Sequence, residues 1–160
     1  MSTTQIVLLV IIIVIGGLVY KNKQHQKESA GINRITAQEF LSENVNKEGV
    51  FETSSGLQYE VLTQGNGAHH PLATSKVKVH YHGTLLNGSV FDSSVERNSP
   101  ISFGLNQVIS GWTEGVQLMK EGDKFRFFIP PNLGYGDQAA GKIEPGSLLI
   151  FEVELLKIES

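Results

Sequence analysis

The chain changes rhythm along its length. From Ser2 to Tyr20 no charged residue occurs, and Ile6 to Ile15 is an unbroken run of Ile, Val and Leu. A helix of about 19 residues spans roughly 28 Å, close to the hydrocarbon thickness of a bilayer, so residues 1–20 read as a transmembrane anchor. A cleaved secretory signal would follow a basic region and end in a small-residue site. Here no Lys or Arg precedes the run, and Gly16-Gly17-Leu18-Val19-Tyr20 follows it. A helix apolar on every face and buried in a core would need a larger protein around it. Residues Lys21 to Ile35 are polar and aperiodic, as expected of a linker. Thr36 and Glu39 stand at capping-box spacing ahead of Phe40, Leu41 and Val45. They predict a short helix that ends near Gly49 and props the domain after it.

From Gly56 onward the period shortens to two. Leu57, Tyr59 and Val61 alternate with Gln58, Glu60 and Leu62, and Val77, Val79 and Tyr81 alternate with Lys78, His80 and His82. Both read as half-buried strands, as do Phe125 to Ile129 and Leu148 to Ile158. Turn signals separate them at Gly65-Asn66-Gly67, Asn87-Gly88, Glu121-Gly122-Asp123 and Pro130-Pro131-Asn132. One segment breaks the alternation. Trp112, Val116 and Met119 share a helical face, with Ser110 placed to cap the helix and Gly122 to end it. Strands with one short amphipathic helix and no βαβ alternation predict an α+β fold, a curved antiparallel sheet wrapped on one helix. The division expected is anchor 1–20, linker with short helix 21–55, and folded domain 56–160.

Composition narrows the chemistry. The 160 residues carry a net charge of −3 and form no basic stripe suited to a phosphate backbone, so nucleic acid is not an expected partner. With no cysteine, thiolate nucleophiles, disulfides and cysteine metal sites are excluded. Lys21, Lys23, Lys27 and Arg34 all follow the apolar run, which by the positive-inside rule places the domain in the cytoplasm. No G-x-S-x-G elbow, P-loop or dinucleotide glycine motif occurs. His80 and His82 could in principle offer imidazoles to zinc at strand spacing, but no third ligand accompanies them, and the reading preferred is two solvent-facing histidines on an exposed strand surface. Tyr81, Phe91, Phe103, Trp112, Phe127, Tyr135 and Phe151 cluster beside tight turns and, taken singly, read as core.

Whole strings are more specific. Val79-His80-Tyr81-His82-Gly83, Gly88 to Phe91-Asp92-Ser93-Ser94, Val108-Ile109-Ser110-Gly111-Trp112 to Gly115-Val116, Leu133-Gly134-Tyr135-Gly136 and Leu149-Ile150-Phe151-Glu152-Val153-Glu154-Leu155-Leu156 follow one another in order. Together they resemble the signature of FKBP-type peptidyl-prolyl cis/trans isomerases over Gly56 to Glu159. Phe40-Leu41-Ser42-Glu43-Asn44 and Lys47-Glu48-Gly49-Val50 resemble the helix end that precedes this domain in bacterial macrophage-infectivity-potentiator proteins.

The resemblance implies an isomerase and chaperone that uses no cofactor or metal and acts on X-Pro bonds of unfolded or newly exported chains, with macrolides as potential inhibitors. It implies catalytic roles for Tyr81, Asp92 and Tyr135. The proline pocket would be lined by Phe91, Arg97, Ile101, Val108, Ile109, Trp112, Ile143 and Phe151. It also pulls the expected location toward the periplasm, against the charge rule. A non-catalytic holdase using the same groove is the alternative function. Ile101, Gln107 and Lys142 depart from residues common in relatives, which bears on macrolide affinity and on the residue preferred before proline.

Overall fold

A computed structural model of the protein describes the backbone from Thr3 to Ser160, with side chains at Leu8 and from Ile11 onward. Helix α1 (Thr3–Asn44) is followed by strands β1 (Val50–Glu52), β2 (Gln58–Thr63), β3 (Lys76–Thr84), β4 (Val90–Ser93) and β5 (Ile101–Gly104). Helix α2 (Ser110–Val116), β6 (Lys124–Ile129) and β7 (Leu149–Ile158) complete the order. All seven strands pair antiparallel in the path β1-β2-β6-β7-β3-β4, with β5 also on β3.

The alternation in β3 does what a half-buried strand requires: Val77, Val79 and Tyr81 are buried while Lys76 and Lys78 face water. Their inward face packs on α2, whose Trp112 and Val116 join Leu105, Phe127, Ile129 and Leu149 in one core. Helix and sheet approach closely because Gly111 and Gly115 present no side chain. A Cβ at Gly111 would lie 2.6 Å from Ile129 Cγ2, and one at Gly115 2.7 Å from Phe127 Cε1. Ser110 opens α2 without capping it; Ile109 is the N-cap, and no side chain bonds there. The helix ends at Val116, earlier than Gly122, which instead takes a positive φ of 89° in the turn before β6.

The N-terminal expectations need correcting. Among the described residues no helix is long and apolar enough to cross a membrane. This contradicts the transmembrane helix expected over residues 1–20, and with it the membrane partner and the single-pass localisation; Met1 and Ser2 lie outside the described residues. The polar stretch Lys21 to Ile35 is helical throughout, and no new helix starts at Thr36, whose Oγ1 donates back to the Ile32 carbonyl at 3.1 Å within a continuous turn. Helical continuity wins because nothing between Lys21 and Asn44 breaks it except Gly31, which a helix tolerates at a cost of roughly 1 kcal/mol.

The C-terminal half of α1 docks on the sheet domain through Ala30, Ala37 and Asn44, which are 2%, 1% and 1% exposed and lie seven residues apart on one face. Phe40 meets Phe128 with ring centroids 5.7 Å apart. At the end of the helix, Asn44 Nδ2 donates to Gln58 Oε1 (2.9 Å), and Gln58 Nε2 donates to the Leu41 carbonyl (2.9 Å) and to Glu52 Oε2 (2.8 Å). This bonded network explains why Gln58, read from alternation as a solvent-facing strand position, is fully buried.

Replacing Asn44 by Ala leaves Gln58 Oε1 buried without its donor, so Asn44→Ala should lose about 1 to 3 kcal/mol in urea unfolding. An unchanged midpoint would show that the helix end contributes nothing to the fold.

Candidate active site

The outer edge of β3 is divided between two partners. Lys76 to Val79 pair with β5, and His82 to Thr84 pair with β4. Between them the connecting chain swings away from the sheet, held by Ser94 and Val95 amides that donate to the Tyr81 carbonyl at 3.0 and 3.3 Å. A hollow opens over Tyr81. It measures about 410 Å³ and is lined by Tyr81, Asp92, Phe103, Gln107, Val108, Ile109, Trp112, Tyr135 and Phe151.

Trp112, 4% exposed, forms its floor from the first turn of α2. Tyr81, Phe103 and Phe151 all meet the indole edge-on, with centroids 5.2 to 5.3 Å away and interplanar angles of 88°, 62° and 85°. Phe91 stands outside this ring and packs edge-on against Phe151 at 5.2 Å. Gly83 makes room for both phenylalanines, since a Cβ there would fall 2.7 Å from Phe91 Cζ. The Ile109 carbonyl accepts the Trp112 and Thr113 amides at 2.9 and 3.1 Å, fixing the backbone at the pocket wall.

Polar groups gather at one rim. Tyr81 Oη donates to Asp92 Oδ2 at 2.5 Å, Arg97 Nη1 donates to Asp92 Oδ1 at 2.5 Å, and Arg97 Nη2 donates to Tyr81 Oη at 3.2 Å. Burial by itself would raise the Asp92 carboxyl, but the bonds from Tyr81 and Arg97 outweigh it and hold that group below its ordinary range. Burial, with the bond to Asp92, pushes the Tyr81 phenol up. The carboxylate is therefore ionised and the phenol neutral over the whole physiological range. Half of the Asp92–Arg97 pair remains in water, so it orients these groups more than it stabilises the fold.

Behind the rim, His80 Nδ1 lies 2.7 Å from Ser94 Oγ and His82 Nδ1 lies 2.9 Å from Ser93 Oγ. Both histidines are half-buried and tie β3 to the end of β4, which carries Asp92, and to the first residue of the turn after it. No cluster of three metal-ligating side chains occurs among the described residues.

The structure thus gathers Tyr81, Asp92, Val108, Ile109, Trp112, Tyr135 and Phe151 around one hollow. Arg97 joins through Asp92. Ile143, on the loop before β7, is turned into the core, and Ile101 is 41% exposed on β5 opposite Val79; neither is in the lining. Phe103 and Gln107 line the pocket although the sequence reading assigned neither to it. Phe103 sits on a four-residue strand too short to show a period, and Gln107 lies in a 3₁₀ turn whose facing no hydrophobic pattern reports.

Comparison with known proteins agrees with this geometry. Residues 67–156, more than half of the chain, match the model of the FKBP-type peptidyl-prolyl cis-trans isomerase family. Residues 13–61 match the domain amino terminal to FKBP-type peptidyl-prolyl isomerase. The chain is 57% identical over 127 residues to the FKBP-type peptidyl-prolyl cis-trans isomerase FkpA of Aeromonas hydrophila, covering 79% of this chain and 47% of that protein. It is 44% identical over 128 residues to the peptidyl-prolyl cis-trans isomerase Mip of Coxiella burnetii, covering 79% and 55%. The crystal structure of FkpA from Escherichia coli superposes with a TM-score of 0.89 at 35% identity, over 99% of this chain and 73% of that one. The chain spans about half the length of the curated relatives it matches. With the signature strings converging on one aromatic-floored hollow, and both family models laid end to end along it, the chain belongs to the FKBP-type peptidyl-prolyl cis-trans isomerases.

Proposed function

We propose that the chain catalyses cis/trans isomerisation of X-Pro bonds in unfolded polypeptides by binding the proline ring on Trp112 and favouring the twisted amide. The observation that carries this reading is the hollow itself, apolar over its floor and walls, polar at one rim, and wide enough for a pyrrolidine ring.

No nucleophile is needed. Rotation about a planar amide is opposed by about 18 to 20 kcal/mol because the nitrogen lone pair is delocalised into the carbonyl, and X-Pro bonds isomerise unaided over tens of seconds or longer. The planar amide is the more polar state. An apolar, water-poor site therefore disfavours it relative to the twisted one, and each tenfold in rate takes only about 1.4 kcal/mol of that difference. Tyr81, Phe103 and Phe151 wall the ring, with Phe91 backing Phe151, and Val108 closes one side. The Ile109 amide and the Tyr135 hydroxyl hold carbonyls of the bound peptide. Asp92, kept ionised by Tyr81 and Arg97, faces the amide as its carbonyl turns.

The decisive experiment is a protease-coupled prolyl-peptide assay on the full chain. A rate no faster than buffer would reject catalysis and leave a binding module. In the same assay Asp92→Ala and Trp112→Leu should each lower kcat/KM by about tenfold or more, since each removes a group that contacts the amide or the ring. If both variants retain full rate, the chemistry lies elsewhere.

The pH profile provides a second check. Because Asp92 is depressed and Tyr81 raised, neither changes charge between about pH 5 and pH 9. Any stability gained from the depressed carboxyl is complete above its unfolded value and is lost only as pH falls through the folded one. Activity should therefore be flat across that interval and decline only once the pH falls below the ordinary carboxylate range. A bell centred near neutrality would mean that a different group controls the rate.

A further inference from the structure

Above its contact with Gln58, α1 grips the loop that leads from the pocket back into β7. Asn33 Nδ2 donates to the Pro145 carbonyl at 2.9 Å, and Arg34 pairs with Asp137 at 3.2 Å. Ala30 lies so near Gly146 that a Cβ on that glycine would come within 2.9 Å of Ala30 Cα. Gly146 also holds a φ of +75°, which a side chain would strain. Pro145 and Gly146 are buried, whereas Asp137 is exposed.

The loop has its own internal closure. The Gly146 amide donates to the Gly136 carbonyl and the Gly136 amide to the Pro131 carbonyl, each at 2.8 Å, and Ala140 and Ile143 exchange bonds of 2.9 Å. The helix holds the loop on both sides of that closure, at residue 137 and at residues 145 and 146. Tyr135 stands directly before it. That tyrosine is 43% exposed, so packing in the pocket does not fix its ring, and its place depends on the backbone that carries it.

We propose that Asn33 and Arg34 are positioning residues, through which α1 sets the stance of the 135–146 loop and with it which residue is accepted before proline. The inference rests on the isomerase reading of the pocket and extends it to a helix that lies outside the catalytic family match at 67–156. Of the two contacts, the sheltered Asn33 bond should matter more, because the Arg34–Asp137 pair is half exposed and screened.

The test compares the full chain with Asn33→Ala/Arg34→Ala on prolyl peptides carrying Ala, Leu, Phe or Glu before proline. The Leu-Pro to Ala-Pro ratio of kcat/KM should change by about threefold or more, with KM moving further than kcat. Arg34→Asp alone should shift the ratio less, and Arg34→Asp/Asp137→Arg should return it toward the starting value. Gln38→Ala, exposed on the same helix, should leave it unchanged. A ratio that stays constant in the double variant, whatever happens to melting temperature or overall rate, overturns the proposal, since a purely structural brace would scale all substrates alike. Peptide affinities read from Trp112, the single tryptophan, are measured alongside. Should the unaltered chain prove inactive, the isomerase reading fails, and the ratio of affinities then decides on the brace.

Discussion

Rings packed edge to face keep this site open. Tyr81, Phe103 and Phe151 each present an edge to Trp112 from a different strand, β3, β5 and β7. Such pairs are worth about 0.5 to 1.5 kcal/mol each beyond the area they bury, and the geometry matters as much as the energy. Rings standing upright around a flat indole cannot fall across it without losing those contacts. The hollow is therefore a packed arrangement in its own right, shaped before any ligand arrives. Its polar rim depends on the same frame, because Tyr81 belongs to the ring cage and also donates to Asp92.

The frame depends in turn on how the sheet is interrupted. With β4 and β5 sharing the outer edge of β3, the chain between them is free to leave the sheet at the level of Tyr81, so that Arg97 on it reaches back to Asp92 near the end of β4. On the opposite side, α2 can lie low enough to serve as a floor only because Gly111 and Gly115 face Ile129 and Phe127. Arg126 meanwhile bridges Glu60 and Glu152 at 2.9 and 2.7 Å across β2, β6 and β7, a polar lacing on strands whose other residues carry the core. Its partial exposure limits this lacing to register more than to stability.

Much of this was legible in the residues, for identifiable reasons. Val77, Val79 and Tyr81 announced their strand because a sheet with one wet face forces a period of two, and Trp112, Val116 and Met119 announced a helix by the same logic at its own period. The site emerged from strings and not from single residues, since an aromatic beside a turn says nothing about whether a hollow lies next to it. What escaped was the run of α1 from Lys21 onward. Its inward stripe is Ala30, Asn33 and Ala37, small or polar groups that bury well against a backbone but leave no apolar signature. Gln58 escaped for a related reason: a buried amide with every bond met looks like a surface residue until its partners Asn44 and Leu41 are in place. The apolar N-terminal run, conversely, gave a strong hydropathy signal, and among the described residues no helix is both long and apolar enough to cross a bilayer.

The placement of β7 has a bearing on how the domain comes into being. It is the last strand in chain order, yet it lies between β6 and β3 in the sheet, joining Phe127 to Phe151 on one side and Tyr81 to Val153 on the other. During synthesis β3 and β6 must wait for it with apolar faces uncovered, and the loops to be closed are long, which makes assembly slow compared with a helical bundle. Helix α1, made of local contacts, can form well before that moment. The domain thus passes through an interval of exposed edges before its sheet is closed.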